Sequence, residues 1–271
     1  MSTTAGPMTQ AIMDWFDDQG WTPFDFQKSV WQAMKQRRWG LLHASTGSGK
    51  TLATWFGALQ AYEAWHKSQS PSTKYRAGLK ILWVTPMRAL AADTTATLQT
   101  TAQAICPDWR VEGRTGDTSA SVRARQNKTL PDVLVTTPES LSLLLTQKDA
   151  STRLGKVDVV IVDEWHELLG SKRGVQLQLG LARLAQWQPN LIVWAMSATL
   201  GNLPEALETL CLSTTALDQA RLVSDKKTKA VTIDTLLPAN VERFAWAGHL
   251  GLSLVKPVAE ELLCSTNTLV F

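Results

Sequence analysis

The stretch "GLLHASTGSGKT", Gly40 to Thr51, runs from an apolar segment through a turn of small and hydroxyl residues into a lysine and a threonine. Its second part matches the phosphate-binding pattern G-x-x-x-x-G-K-[ST], except that Ala44 replaces the first glycine. That change is mild, because the later glycines are the ones wrapped closely on a phosphate. In such a loop the backbone N–H groups of Thr46, Gly47, Ser48 and Gly49, with the positive end of the following helix, hold a triphosphate. Lys50 then reaches the β and γ phosphates and Thr51 can ligate Mg²⁺. The reading requires a buried strand before the loop and a helix after it.

The rest of the chain supplies that context. Four more apolar runs end in polar residues: "LKILWVTP" (Leu79 to Pro86), "DVLVTTP" (Asp132 to Pro138), "VDVVIVDE" (Val157 to Glu164) and "LIVWAMSAT" (Leu191 to Thr199). None alternates apolar with polar residues, as expected of strands covered on both faces. Between them lie helical patterns, one beginning with Ala53, Phe56, Gly57 and Gln60, another carrying Leu177, Leu181 and Leu184. Strands alternating with helices predict an α/β fold, a parallel β-sheet with helices on both faces. Ligands of such sheets lie at the carboxyl ends of the strands. Ser45, Thr85, Thr137, Asp163 and Ser197 each follow directly on an apolar run, so their loops should meet along one rim.

"VDVVIVDEWHELLG", Val157 to Gly170, puts two carboxylates at that rim. With a phosphate loop earlier in the chain, Asp163 takes the place of the aspartate that holds Mg²⁺, and Glu164 sits where a carboxylate can polarise an attacking water. His166 is close to the γ-phosphate but is a poor Mg²⁺ ligand, since that ion prefers oxygen. Ser197 and Thr199 close the last apolar run with two hydroxyls facing the same rim.

Composition bounds the alternatives. The chain has 271 residues, 44% hydrophobic and 19% charged, which are values of a folded globular protein. No apolar run approaches the ~18 residues of a membrane span, and the opening "MSTTAGPMTQ" lacks a targeting pattern, so no membrane and a cytoplasmic location are expected. Cys106, Cys211 and Cys264 are read as buried thiols. A net charge of +3 does not by itself argue for a polyanion partner. The basic groups Arg123, Arg125 and Lys128, then Lys172 and Arg173, then "SDKKTK", read as solvated surface, and the twelve tryptophans as core packing rather than base stacking. Beyond "SATLGNLPEALETLCL" come a strand-like "AVTIDTLLP", an amphipathic run from Leu250 to Leu263, and "STNTLVF", which reads as the opening of a buried strand.

Taken in order, "STGSGKT", "TPMRAL", "RTGDT", "TTPES", "DEWH" and "SATL" resemble motifs I and Ia, two nucleic-acid-contacting segments, and motifs II and III of superfamily 2 helicases. "DEWHELLGSKRGVQLQLGLARL" with "SATLGNL" resembles the Lhr type, and the tryptophan of the DExH box suggests its ligase-associated branch. The likeness extends to "GWTPFDFQ", "AWAGHLGLSLV" and "TNTLVF". It implies a P-loop NTPase of RecA-like fold over residues 1–238, and over 239–271 a connector with the first strand of a second such domain.

The resemblance also implies roles. Gln27 would read the adenine edge, with one of Trp21, Phe24 and Phe26 against the base. Lys50 and Thr51 would bind phosphate and Mg²⁺, Asp163 the metal, and Glu164 would be the catalytic base. His166, Ser197 and Thr199 would couple nucleotide state to nucleic-acid grip. Thr85, Arg88, Thr115, Thr137 and Glu139 or Ser140 would lie along a strand's phosphodiester track, giving little sequence specificity. ATP and Mg²⁺ are the implied cofactors, and single-stranded DNA in preference to RNA the partner, with DNA ligase or nuclease repair partners. The implied activity is 3′-to-5′ unwinding in DNA repair. Family members draw arginine fingers from a second domain, and this chain stops at Phe271, before motifs V and VI. It is therefore expected to bind nucleotide weakly, hydrolyse it slowly and not unwind. The alternatives are a non-catalytic product that binds nucleotide or single strands, and an RNA-directed DExH helicase.

Overall fold

The computed structural model of the protein describes residues 6–69, 78–225, 232–236 and 254–270. The chain divides into two compact units, Met1–Lys226 and Lys227–Phe271. In the first unit, strands β1 (Gly40–His43), β2 (Ile81–Val84), β3 (Val111–Arg114), β4 (Val133–Thr136), β5 (Val159–Val162), β6 (Ile192–Ser197) and β7 (Arg221–Ser224) form one sheet. Its order is β3-β4-β2-β5-β6-β1-β7, and every pairing is parallel. The helices of this unit are α1 (Pro7–Asp18), α2 (Asp25–Lys35), α3 (Lys50–Gln69), α4 (Arg88–Ile105), α5 (Ala120–Lys128), α6 (Pro138–Leu145), α7 (Ala150–Leu154), α8 (Trp165–Leu168), α9 (Lys172–Trp187), α10 (Leu203–Leu210) and α11 (Thr214–Gln219). The second unit contributes α12 (Val255–Cys264).

The five apolar runs are β1, β2, β4, β5 and β6. Val159, Val160, Ile161 and Val162 of β5 are all fully buried, although successive strand residues point to opposite faces, so the sheet is covered on both. The sequence reading missed β3 and β7, the two edges. "VEGR" and "RLVS" are half-buried or exposed at most positions, because an edge strand needs less apolar cover.

The tryptophans are mostly core. Trp55, Trp83, Trp165 and Trp194 are fully buried, and the Trp165 and Trp194 indoles donate to the Ala206 and Arg38 carbonyls at 3.0 and 2.8 Å. Of the cysteines only Cys106 is buried, which pushes its thiol up to about 12, whereas Cys211 is half-buried and Cys264 exposed. At the amino end of β2, Lys80 is buried, ion-paired with Asp132, its ammonium 4.9 Å from the centre of the Trp109 ring.

Two expected strands are absent from the described residues of the second unit. Residues 232–236, within "AVTIDTLLP", and 265–270, within "STNTLVF", carry no strand, and Ile233 and Leu269 are 88% and 78% exposed. An apolar run becomes a strand only when it pairs, and no described residue pairs with these. "AWAGHLGLSLV" lies outside the described residues except for its last two. The amphipathic run ends in α12.

Candidate nucleotide site and nucleic-acid face

At the carboxyl end of β1 the chain turns through Gly47 and Gly49, both at positive φ (74° and 91°), and enters α3 at Lys50. Glycine is the residue that adopts this conformation without strain. The turn carries the loop's N–H groups to the head of a 20-residue helix. The Lys50 ammonium donates to the carbonyls of Ala44 and Ser45 at 2.9 and 3.1 Å. The Ala44 N–H donates to the Ser197 carbonyl at 3.2 Å, tying the loop to the end of β6.

Above the loop lies a cavity of about 860 Å³ bounded by residues 46–52, Gln27, Trp21, Phe24, Asp163 and Glu164. Gln27 is buried with both ends of its amide engaged: Oε1 accepts from the Phe24 N–H at 2.9 Å, capping α2, and Nε2 donates to the Gly49 carbonyl at 3.2 Å. A Cβ at Gly49 would stand 2.9 Å from that Nε2. Trp21 and Phe24 face the cavity and are 54% and 44% exposed; Phe26 is 7% exposed, lies against Phe24 with centroids 5.8 Å apart, and does not line the cavity.

Asp163 is buried at the end of β5 and accepts the Glu164 N–H at 2.9 Å. Burial, then repulsion from Glu164, pushes its carboxyl up to about 6, against the pull of the Glu164 N–H and Lys50. A raised carboxyl opposes folding when ionised: the penalty is absent below the ordinary value near 3.8 and complete above about 6. Asp163→Asn should therefore raise stability by about 2–3 kcal/mol at pH 8, a gain that disappears as the pH falls through 6 towards 4. Urea denaturation without Mg²⁺ or nucleotide measures this.

Glu164 has φ 44° and ψ 53°, a left-handed conformation that costs a non-glycine residue about 1 kcal/mol or more. Its Oε2 is buried without a hydrogen-bond partner and lies 3.4 Å from His166 Nδ1. That nitrogen is 2.8 Å from Ser197 Oγ, which also accepts the Thr199 N–H at 3.4 Å. The DExH segment and the "SAT" segment thus meet through one imidazole and one hydroxyl. The residues fit a Mg²⁺-bound triphosphate: Ser48 Oγ, in the loop, is a second buried polar atom without a partner, and Asp163 and Thr51 supply the hard oxygens that Mg²⁺ takes.

The residues expected along a nucleic-acid track are placed unevenly. Thr85 and Thr137 are buried, the Thr85 hydroxyl donating to the Met87 carbonyl at 3.1 Å and that of Thr137 lying 3.4 Å from Ser140 Oγ. Arg88 is exposed, pairs with Asp117 at 2.8 Å, and lies against Gly116, next to Thr115. Arg123, read from sequence as solvated, donates to the Thr115 and Gly116 carbonyls at 2.9 and 2.7 Å and shapes that loop. Glu139, at the head of α6, is gripped by Arg173 of α9. Burial works most strongly against its ionisation, but hydrogen bonds from Arg173, its own backbone N–H and Thr137, with the charge of Arg173, together outweigh it and hold the carboxyl below the usual range. Arg173 was read from sequence only as solvated surface, although cations in a helix's first turn oppose its dipole and so call for a partner.

Residues 24–207 match the DEAD/DEAH box helicase family. The Lhr helicase/uracil glycosylase of Escherichia coli is 37% identical over 184 residues, 64% of this chain and 12% of that protein. The ATP-dependent helicase Lhr-Core of Saccharolobus solfataricus is 29% identical over 96% of this chain and 30% of its own length. The chain thus spans between about an eighth and a third of these curated relatives. Among solved structures, Mycobacterium smegmatis helicase Lhr bound to ssDNA and AMP-PNP superposes with a TM-score of 0.61 at 29% identity, covering 83% of this chain and 29% of that one. The DEAD-box helicase Mss116, bound to ssRNA and UDP-BeF, shares the fold at 18% identity, TM-score 0.65, over 83% of this chain and 44% of its own. With a RecA-like parallel sheet, a phosphate loop and a DExH strand end on one rim, the chain belongs to the DEAD/DEAH box helicase family.

Proposed function

We propose that this chain is the first, ATP-binding motor domain of an Lhr-type helicase that translocates 3′-to-5′ on single-stranded DNA and serves DNA repair. The observation that carries the reading is the single cavity that gathers Gln27, the phosphate loop, Asp163 and Glu164 from three separate parts of the chain. The preference for DNA rests on the 29%-identical Lhr structure with ssDNA.

In this reading Trp21 or Phe24 covers the base while Gln27 exchanges its bonds to Phe24 and Gly49 for the base's edge. The loop N–H groups and Lys50 hold the phosphates. Thr51 and Asp163 would hold Mg²⁺, which supplies charge neutralisation at the β and γ oxygens when bound. Glu164, held in its left-handed turn, takes the proton of the attacking water, and His166 relays the state of the site to Ser197. No arginine lines the cavity among the described residues, so the 271-residue chain turns ATP over slowly until a second domain supplies one.

Calorimetric titration of the chain with ATP and Mg²⁺ tests the nucleotide site. Lys50→Ala should weaken binding about 100-fold, roughly the worth of one or two charge-assisted hydrogen bonds. Equal affinity in both proteins would remove the reading.

A further inference from the structure

We propose that Arg173 is a positioning residue that fixes the two nucleic-acid-facing loops relative to each other and to the DExH segment. This rests on the reading above, that the loops after β2 and β4 carry a strand.

Arg173 lies in the first turn of α9, a few residues beyond the DExH box. That turn is locked to α8: the Ser171 hydroxyl donates to the Leu168 carbonyl at 2.7 Å and accepts the Gly174 N–H at 3.1 Å. A Cβ at Gly174 would stand 2.0 Å from the Leu168 oxygen, so only glycine permits the approach. Arg173 therefore moves with the segment that holds Asp163 and Glu164.

From there its guanidinium reaches across the sheet. β2 lies between β5, which leads into α8, and β4, which leads into α6. Nε and Nη2 donate to the two Glu139 carboxylate oxygens at the head of α6, the second at 3.2 Å, and Nη2 also donates to the Pro86 carbonyl after β2. One planar fork thus joins three strand ends, with a fixed bidentate geometry that the point charge of an ammonium does not reproduce. It also neutralises a carboxylate that would otherwise repel a phosphodiester. The Arg173 and Glu139 side chains are 39% and 50% exposed, and an ion pair so wet adds little to stability. Its loss should appear in binding rather than in folding.

The experiment is anisotropy of a labelled single-stranded deoxyoligonucleotide with the 271-residue chain, Mg²⁺ and AMP-PNP, across a salt series. Thermal melting of each variant checks its fold. Arg173→Ala should weaken binding about tenfold without changing the dependence of log K on log salt. Arg173→Lys should resemble it. Arg173→Ala/Glu139→Ala should bind no worse than Arg173→Ala alone. Wild-type affinity in Arg173→Ala, full rescue by lysine, or additive losses in the double variant would each overturn the proposal. So would a salt slope reduced by about 0.7, because Arg173 would then itself touch a phosphate. If the wild-type chain binds no strand, the helicase reading fails first and takes this inference with it.

Discussion

Glu164→Gln is expected to lower ATP hydrolysis by about 10²- to 10⁴-fold, the usual worth of a positioned general base. The amide keeps the size and backbone of the glutamate but cannot take a proton, so ATP affinity should stay within a few-fold of wild type. The left-handed backbone at 164 is what aims this side chain, whose Oε2 is buried and without a hydrogen-bond partner beside His166. Single-turnover hydrolysis and equilibrium binding, measured on the same preparations, separate the two quantities. A parallel loss of affinity would mean that the residue holds the nucleotide rather than the water.

Lys80→Ala is expected to destabilise the protein by about 3–5 kcal/mol, the cost of breaking a buried ion pair and leaving one charge behind. Its ammonium is shut beneath Trp109, and the Asp132 carboxylate also accepts the Arg110 N–H at 2.8 Å. The midpoint of urea denaturation reads the loss. Lys80→Met/Asp132→Asn removes both charges while keeping an acceptor for Arg110, and should recover most of it. A small effect in the single variant would contradict the reading of Lys80 and Asp132 as a buried ion pair.

Much of this architecture was legible because its strands are buried on both faces. "ILWV" and "VVIV" can be little else between helical segments, whereas "VEGR" and "RLVS" look like loops until the sheet supplies a neighbour. The phosphate loop and the Asp163–Glu164 pair were legible because their chemistry is written in consecutive residues. The positive φ of Glu164 was not, nor was the choice among Trp21, Phe24 and Phe26, which burial narrows by placing Phe26 in the core. Hydroxyls at strand ends were the weakest guide. Thr85 sits at the expected rim, yet its side chain turns into its own loop. Arg173 escaped because its partners, Pro86 and Glu139, lie 87 and 34 residues away in sequence. The terminal "TNTLVF" carries no strand in its described residues, since apolar composition alone does not provide a pairing partner.

On the proposed reading, this rim hydrolyses ATP through Glu164 under the influence of a bound strand. This is tested most directly by ATP turnover of the 271-residue chain with and without single-stranded DNA, with Glu164→Gln as the blank. A slow rate that rises with the strand and disappears in the variant is predicted; a rate unchanged in Glu164→Gln would contradict the account.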